Sequence, residues 1–210
     1  MLVAQGQLAE HEGNSLRAVQ NFKEALNHIK TSPFEESAEV PVTLMLAESL
    51  EHLGRIQEAA SLYEEIVKRD PGQGFDMYAQ ERFLDAQGAA LDRLGQLAMD
   101  AGEPRKALDY HLTAVTKFAR DPQVLDAVWS AFERGERGFQ PLLKKTARAK
   151  NLAGALNNAG MALLAQGRNV EARNFLLRCI AVSTICVPEE DRDPSFTQAI
   201  RQVSEIVADL

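Results

Sequence analysis

The side chains that could do chemistry are few and far apart along this sequence. Its four histidines show neither the HExxH spacing nor the paired spacing of a metal site; they are His11, His28, His52 and His111. Phosphate-binding loops of the GxxxxGK[ST] or GxGxxG kind are also missing from the sequence. Carboxylates are plentiful, but no pair stands out as a general acid and base. We therefore predict no catalytic residue, no metal site and no cofactor, and so a protein that is not an enzyme.

The two cysteines, Cys179 and Cys186, are seven residues apart in a segment predicted to be helical at least through Ile185. Two helical turns separate their Cα atoms by about 10 Å, whereas a disulfide needs less than about 7 Å. Two thiolates with no nearby histidine pair also make a poor zinc site. We therefore expect two small, buried, reduced thiols, as is usual for a cytoplasmic protein.

Composition and charge narrow the class of protein. The chain has 210 residues, of which 45% are hydrophobic and 25% charged, as in ordinary globular domains. The net charge of −7 argues against a general nucleic-acid binder, because phosphate contacts need clustered lysine and arginine. No apolar run approaches the roughly 18 residues of a membrane helix. The first residues also lack the basic segment of a secretory signal. These features predict a cytoplasmic protein with no nucleic-acid partner and no membrane insertion.

The elements that must carry these side chains are organised as repeats. Four segments of similar pattern are each centred on one glycine, namely Gly13, Gly54, Gly102 and Gly167. Seven residues before each glycine stands a small residue, namely Gly6, Ala47, Gly95 and Gly160. Five residues after each stands an alanine, namely Ala18, Ala59, Ala107 and Ala172. Nine residues after each stands a bulkier residue, namely Phe22, Tyr63, His111 and Leu176. This coincidence of residue type and spacing indicates an internal repeat.

The spacing around each glycine is typical of a pair of antiparallel helices. A small residue and an alanine on facing helices allow a close approach, and the glycine supplies the left-handed conformation that ends the first helix. The bulky residue is expected to fill the gap towards the next hairpin, which makes His111 a packing residue. One such hairpin cannot bury its apolar side alone, so the hairpins should stack into a right-handed solenoid. We predict an all-α fold.

These residues resemble the tetratricopeptide repeat family. The clearest match is the second segment, through residues 46–50 and 54–59, Tyr63, and the dipeptide Asp70-Pro71. The family's usual period is about 34 residues, whereas the glycines here step by 41, 48 and 65. The longer steps resemble the repeats of kinesin light chains. The resemblance implies a right-handed α-solenoid of antiparallel helix hairpins that acts as a protein-interaction scaffold.

On this pattern residues 1–210 are predicted to form a single solenoid domain. Its units are placed at about 1–32, 40–73, 88–120, 121–151 and 153–186, with a capping helix over 194–210. The unit at 121–151 is degenerate, because Asp121 and Pro122 begin its first helix but its second half lacks the flat alanine. The extra residues 72–87 are expected to form a separate helix or an extension of the next one.

Local capping signals mark several helix ends. Residues 32–35 have a capping-box pattern, and Pro41 is expected to open the first helix of the second unit. Asp193 and Pro194 should begin the capping helix. The predicted apolar stripe of that helix is Phe196, Ile200, Val203, Val207 and Leu210.

The resemblance also implies where a partner would bind, because in this family the first helices of successive units line a concave groove. Carried over unit by unit, the groove-facing positions are Val3, Ala4, Gln7, Leu44, Met45, Glu48, Asp92, Arg93, Gln96, Asn157, Asn158 and Met161. A clamp for a chaperone's C-terminal carboxylate is disfavoured, since Leu44 and Asp92 stand where that clamp needs lysine. Asn157 and Asn158 could hydrogen-bond a peptide backbone, because an amide offers both donor and acceptor. Solvated polar residues are the alternative.

A second candidate surface is basic. Residues 137–150 contain five basic residues and no acidic one, and Lys144, Lys145 and Arg148 form its centre. Lys144 and Arg148 are one turn apart and share a helix face, which could receive an acidic peptide or a second copy of the chain. A solvated surface is again the alternative.

The sequence therefore predicts a scaffold that binds a peptide or helix of a protein partner in its groove. Two alternatives stay open. One is a regulatory or sensor segment of a larger multidomain protein, and the other is a self-association module that forms a homo-oligomer.

Overall fold

Every regular element in the described part of the structure is a helix. The structure, a computed structural model, describes residues 1–31, 36–70, 76–136 and 146–210, with the backbone alone for residues 36 and 37. Its α-helices are α1 (Leu2–His11), α2 (Ser15–Thr31), α3 (Glu36–His52), α4 (Ile56–Lys68), α5 (Met77–Asp100), α6 (Pro104–Ala119), α7 (Pro122–Glu133), α8 (Thr146–Leu164), α9 (Asn169–Ile185) and α10 (Pro194–Asp209). A short 3-10 helix, Glu189–Asp191, precedes α10. The predicted all-α architecture of helix hairpins is confirmed.

The four anchor glycines end the first helix of each hairpin, as predicted. Their φ angles are +73° or +74°, in the left-handed region that glycine adopts more readily than other residues. At the first turn the N–H of Gly13 donates to the Glu10 carbonyl at 2.9 Å, and the N–H of Asn14 donates to the Ala9 carbonyl at 2.8 Å. The other three turns repeat both bonds. This pair of bonds satisfies the last carbonyls of the helix and reverses the chain.

A fifth glycine makes the same kind of turn. Gly135, with φ +67°, follows α7. The N–H groups of Gly135 and Glu136 donate to the carbonyls of Phe132 and Ala131, both at 3.0 Å. The repeat pattern missed this glycine because neither a small residue before it nor an alanine after it stands at the expected spacing.

Three hairpins close around a very tight contact between their small and bulky residues. A Cβ atom built on Gly6 would lie 2.5 Å from Cε1 of Phe22, and one built on Gly95 would lie 2.5 Å from Cε1 of His111. The last hairpin has the same contact, at 2.6 Å, between its glycine and its leucine. We call the space over the small residue of a hairpin its slot. The alanines that follow the four anchor glycines are fully buried, as the close approach of the helices requires.

The expectation that the bulky residue fills the gap towards the next hairpin is therefore wrong for these three hairpins. The small residue lies seven positions before the turn and the bulky residue nine positions after it. Antiparallel helices bring together residues that are about equally distant from their turn, so the two face each other. The bulky residue packs inside its own hairpin.

The chain divides into two compact units, residues 1–90 and 91–210. In the first unit α1 packs on α2, α2 on α3 and α3 on α4. Its largest fully buried side chains are Phe22, Leu50, Tyr63 and Ile66. The first part of α5 completes this unit, since the buried Gln87 amide donates to the Arg69 carbonyl at 2.7 Å, just beyond the end of α4.

Helix boundaries in the first unit differ from expectation at Pro41. Helix α3 begins at Glu36, so Pro41 lies inside the helix and does not open it. Because Pro41 is within the first two turns, its missing N–H removes one backbone hydrogen bond and the helix continues. Of the extra residues 72–87, the described part from residue 76 leads into α5 and extends it at its N-terminus. The predicted capping box at 32–35 lies outside the described residues.

In the second unit α6 packs directly on α8, α8 on α9 and α9 on α10. Small and branched side chains of this unit form a shared core: Ala98, Ala107, Leu108, Ala159, Ala162, Leu163 and Ala172. Cys179 and Cys186 are buried free thiols, as expected, and burial raises the pKa of each to about 11. Within the described ranges, no helix combines the length and the hydropathy needed to cross a bilayer.

Helix α7 has the predicted cap but a different packing partner from the one expected. Asp121 accepts a hydrogen bond from the Gln123 N–H at 2.9 Å, and Pro122 is the first helical residue. The helix packs against α9 and touches α6, while α6 and α8 contact each other directly.

Residues 146–151, placed by the sequence pattern in the degenerate unit 121–151, are the first turns of α8. No glycine or proline interrupts residues 146–153, so one helix runs on into the last hairpin.

The predicted C-terminal capping helix is present as α10. Asp193 accepts a hydrogen bond from the Phe196 N–H at 2.9 Å, and Pro194 is the first helical residue. Along the predicted stripe the two valines are buried, and Phe196 and Ile200 are half-buried. Leu210 departs from the prediction because it lies past the last helical residue, and it is 40% exposed.

Candidate partner-binding face

In the first unit the predicted groove positions lie on the partly accessible edges of α1 and α3. The half-buried ones are Val3, Leu44, Met45 and Glu48, and the exposed ones are Ala4 and Gln7. The neighbouring positions Leu46, Ala47 and Leu50 on α3 are buried in the core. These positions therefore combine apolar and polar side chains above a buried core, and their place in a groove stays a prediction.

In the second unit the structure brings two predicted groove residues into contact. Asp92 on α5 and Asn158 on α8 are 66 positions apart in the sequence. The Asn158 side-chain N–H group, Nδ2, donates to both carboxylate oxygens of Asp92, at 3.2 and 3.1 Å. Asn157 Nδ2 in turn donates to Asn158 Oδ1, at 3.4 Å. We call Asp92, Asn157 and Asn158 together the Asp92 face.

Two further predicted groove positions lie next to the Asp92 face. Gln96 is exposed one turn along α5, where its amide donates to Asp100 at 3.3 Å. Met161 is 38% exposed one turn along α8. The sixth predicted position, Arg93, is half-buried and already has an interaction of its own. The face is therefore accessible from both helices.

Asp92 is held from beneath by His111, the slot residue of the α5–α6 hairpin. His111 Nδ1 lies 2.7 Å from Asp92 Oδ1, and the imidazole is completely buried. The sequence predicts packing for His111 and groove exposure for Asp92, but it does not predict the bond between them. The signal was present, because the two residues are ten positions before and nine positions after Gly102.

The hydrogen-bonding roles within this network follow from its chemistry. An ionised carboxylate can only accept, so Nδ1 of His111 donates to Asp92. Nε2 of His111 is buried without a hydrogen-bond partner, and a Cβ atom built on Gly95 would lie 2.7 Å from it. A proton on Nε2 would therefore be buried with no acceptor, which is costly. The geometry therefore favours a ring with one proton, carried on Nδ1.

This arrangement positions a carboxylate and does not form a catalytic dyad. A general base needs a nitrogen that a substrate can reach, but Nε2 of His111 is completely buried. In the ranges that the structure describes, no group of three or more histidine, cysteine or acidic side chains could hold a metal ion. What the site offers is hydrogen bonding at a fixed carboxylate and two amides.

The Asp92 face has acceptor capacity left for a partner. The Asp92 side chain is 26% exposed. Its two oxygens provide about four lone-pair sites, of which His111 and Asn158 occupy three. The Asn157 carbonyl oxygen adds another acceptor on a half-buried side chain. A partner that donates hydrogen bonds therefore fits this face best.

The described members of the predicted basic face are used inside the chain. Arg148 is 7% exposed in the first turn of α8, so its side chain adds nothing to an exposed basic surface. Lys150 pairs with Asp193 at 3.0 Å and lies 5.2 Å from the centre of the Phe196 ring. Hydrogen bonds from Ser195, the Phe196 N–H and Lys150 hold the pKa of Asp193 well below its ordinary value. Lys144 and Lys145 lie outside the described residues.

Comparison with known families gives two matches. A tetratricopeptide repeat model matches residues 3–74, and a second tetratricopeptide repeat model matches residues 152–185. Together they include the first two hairpins and the last one, α8–α9. A search of curated proteins found no match. The likeness to kinesin light chains in particular stays a prediction.

Proposed function

The chain belongs to the tetratricopeptide repeat family, and from this premise we propose that it is a non-catalytic scaffold whose Asp92 face holds a peptide or helix of a protein partner. Tetratricopeptide repeats are generally protein-interaction modules. The residues that carry the proposal are therefore those that the fold fixes in place and yet leaves accessible.

The single observation that supports this face is the bond between Asp92 and Asn158. It joins the first helices of the hairpins α5–α6 and α8–α9, at positions the family resemblance assigns to the groove. Both side chains have lost their rotamer freedom before any partner arrives, so binding loses less conformational entropy. A preorganised polar group beside exposed Gln96 and Met161 suits recognition of a peptide.

The absence of catalysis is part of the same proposal. His111, which pairs with Asp92, has its second nitrogen buried without a hydrogen-bond partner. Both cysteines are buried, and burial raises their pKa to about 11, so few thiolates form at neutral pH. These groups support a packing role.

Photo-crosslinking with a displayed library of random peptides tests the location of binding. Peptides are selected on the intact chain and then crosslinked through a benzoylphenylalanine placed at Gln96 or at Met161. The matched control carries it at Asp109, which is exposed on α6. We expect crosslinks from residues 96 and 161 and none from residue 109. Selected peptides that crosslink from residue 109 alone, or from none of the three, would contradict a site at this face.

A side-chain deletion gives the complementary measurement. Asn158→Ala removes the amide that orients Asp92, and we expect about tenfold weaker binding of the selected peptides, the effect of one or two hydrogen bonds. Asn174→Ala is the control, because Asn174 is an exposed asparagine on α9. Equal affinities for the two variants would remove the Asp92 face from the binding site.

A further inference from the structure

We infer that the segment held by the Asp92 face presents a lysine or an arginine to the Asp92 carboxylate. The inference rests on the proposed function and narrows it to one class of partner, a peptide with a basic residue at its point of contact. It rests on the charge of Asp92, on the partial burial of its side chain and on the hydrogen bonds around it.

The negative charge of Asp92 is not balanced within its surroundings. Apart from the His111 ring, no basic side chain pairs with Asp92 in the described part of the chain. A positive charge on the ring would need a proton on Nε2, and that proton would be buried without an acceptor. Arg93, the next residue along α5, has an interaction of its own. The face therefore carries one anionic charge.

Partial burial makes that charge receptive to a cation. The Asp92 side chain is 26% exposed, so it has lost much of the hydration that would screen a surface carboxylate. An opposite charge that reaches it from a partner restores the lost stabilisation and is attracted more strongly than at a fully exposed site. The net charge of −7 on the whole chain adds long-range attraction for a basic segment.

The hydrogen-bonding pattern selects the same class of ligand. His111 and Asn158 provide the donors that fix the two oxygens of Asp92. What remains for a ligand is acceptor capacity, at Asp92 and at the carbonyl of Asn157. Lysine and arginine side chains carry donors and no acceptors, and their bonds to carboxylates are the strong, charge-assisted kind. An acidic segment would instead be repelled by the negative charge of Asp92, and the ionised carboxylate has no hydrogen-bond donor to offer it.

The experiment uses peptide pools that differ only in one fixed central residue. Four synthetic pools with identical randomised flanks carry lysine, arginine, glutamine or glutamate at the centre. Each is crosslinked to the full chain through benzoylphenylalanine at Gln96, first at low and then at high ionic strength. We expect the lysine and arginine pools to exceed the glutamine pool by about tenfold at low salt, as a charge-assisted hydrogen bond allows. Added salt should reduce that preference.

Two variants assign the preference to one carboxylate. Asp92→Asn keeps the shape and an acceptor for His111 while removing the charge, so the basic preference should disappear. Asp109→Asn removes the same charge from an exposed position on α6 and should keep the preference. Circular dichroism melting of both variants checks that each is folded, and the pool comparison on the crosslinking chain with Asp92 intact does not depend on either.

The outcomes separate this inference from the proposed function. Equal crosslinking of all four pools at Gln96 would overturn the basic preference and leave the face as a peptide site. A basic preference that survives Asp92→Asn would also overturn the inference. Crosslinking of no pool at Gln96 would count against the proposed function itself.

Discussion

The slots of two hairpins, α1–α2 and α5–α6, have the same geometry and different occupants. In each, an aromatic ring lies where a Cβ atom on the facing glycine would approach to 2.5 Å. Phe22 fills the first slot and His111 the second, and both side chains are almost completely buried. Phenylalanine fills the slot and needs no hydrogen-bond partner. Histidine also fills the slot, but its ring N–H is a donor that needs an acceptor.

The difference teaches how a packing position can support a surface function. Because the imidazole is buried, its donor recruits Asp92 from the same hairpin, and Asp92 is thereby fixed with its remaining acceptor sites towards the accessible side. The equivalent position in the first hairpin, three residues before the slot glycine, is Val3. The first slot is thus a core contact, and the second is a core contact that also positions a carboxylate.

The largest expected effect on stability comes from emptying the slot of the α1–α2 hairpin, which Phe22 fills. Phe22→Ala should lower the free energy of unfolding by about 3–5 kcal/mol, because it removes a buried ring and leaves a cavity over Gly6. Urea unfolding followed by circular dichroism measures the change. Gln20→Ala, at an exposed position on the same helix, should stay within about 0.5 kcal/mol of the unmodified chain. A small effect of Phe22→Ala would mean that the slot is not part of the core.

Overfilling the other slot should have the next largest effect. Gly95→Val places atoms where the His111 ring already lies, so we expect a loss of about 1–3 kcal/mol in the free energy of unfolding. Gly154→Ala is the matched control, since a Cβ atom there meets nothing within 4 Å. That helical substitution should be neutral or stabilising by about 0.5–1 kcal/mol. If Gly95→Val were as stable as the control, the described contact would be wrong.

Exchanging the occupants sharpens the comparison. Phe22→His places a donor in a slot without a carboxylate, and we expect a loss of about 1–3 kcal/mol from an unpaired buried group. Adding Val3→Asp should recover part of this loss, because residue 3 stands where Asp92 stands in the second hairpin. A double-mutant cycle should give a favourable coupling of about 0.5–3 kcal/mol between the two changes. Strictly additive effects would show that the acceptor position is not shared by the two hairpins.

The smallest expected effect concerns acid stability of the first hairpin. Burial alone would raise the pKa of Glu10, but hydrogen bonds from Ser49, His52 and Ser15 and the charge of His52 together hold it below its ordinary value of 4.5. A lowered pKa in the folded state contributes stability that is present above the unfolded pKa and is lost as the pH falls through the folded pKa. Glu10→Gln should therefore flatten the stability loss below about pH 4.5, in urea titrations at successive pH values. An unchanged pH profile would mean that these bonds do not persist in solution.

The hairpins were predictable from the sequence because each depends on local spacing. Glycines such as Gly13 end a helix through their own backbone freedom, and residues at matched distances from the turn must meet. The packing of α8 on α6 was not predictable, because the two helices are far apart in the sequence and no local pattern encodes a contact between them. Likewise, counting charges placed Arg148 on a surface, whereas the packing of the first turn of α8 buries it.

The candidate site was predictable in part. The groove positions Asp92 and Asn158 followed from the family resemblance, but their contact joins two hairpins far apart in the sequence. The repeat pattern does not predict the hydrogen bond from His111 to Asp92, because the equivalent residue is not a histidine in the other three repeats and the pattern therefore indicates a packing residue. The polar slot residue His111 is thus the residue that holds the Asp92 carboxylate in place.

The most direct test of the account is the protonation of the His111 ring. NMR spectra that correlate the ring nitrogens with the ring protons, assigned with a His111→Phe variant, report which nitrogen carries the proton. At neutral pH we predict a neutral ring with its proton on Nδ1, bonded to an ionised Asp92. A neutral ring with its proton on Nε2 would contradict the account, because Asp92 would then have no donor from His111. A doubly protonated ring would also contradict it, because the positive charge of the ring would compensate the negative charge of Asp92.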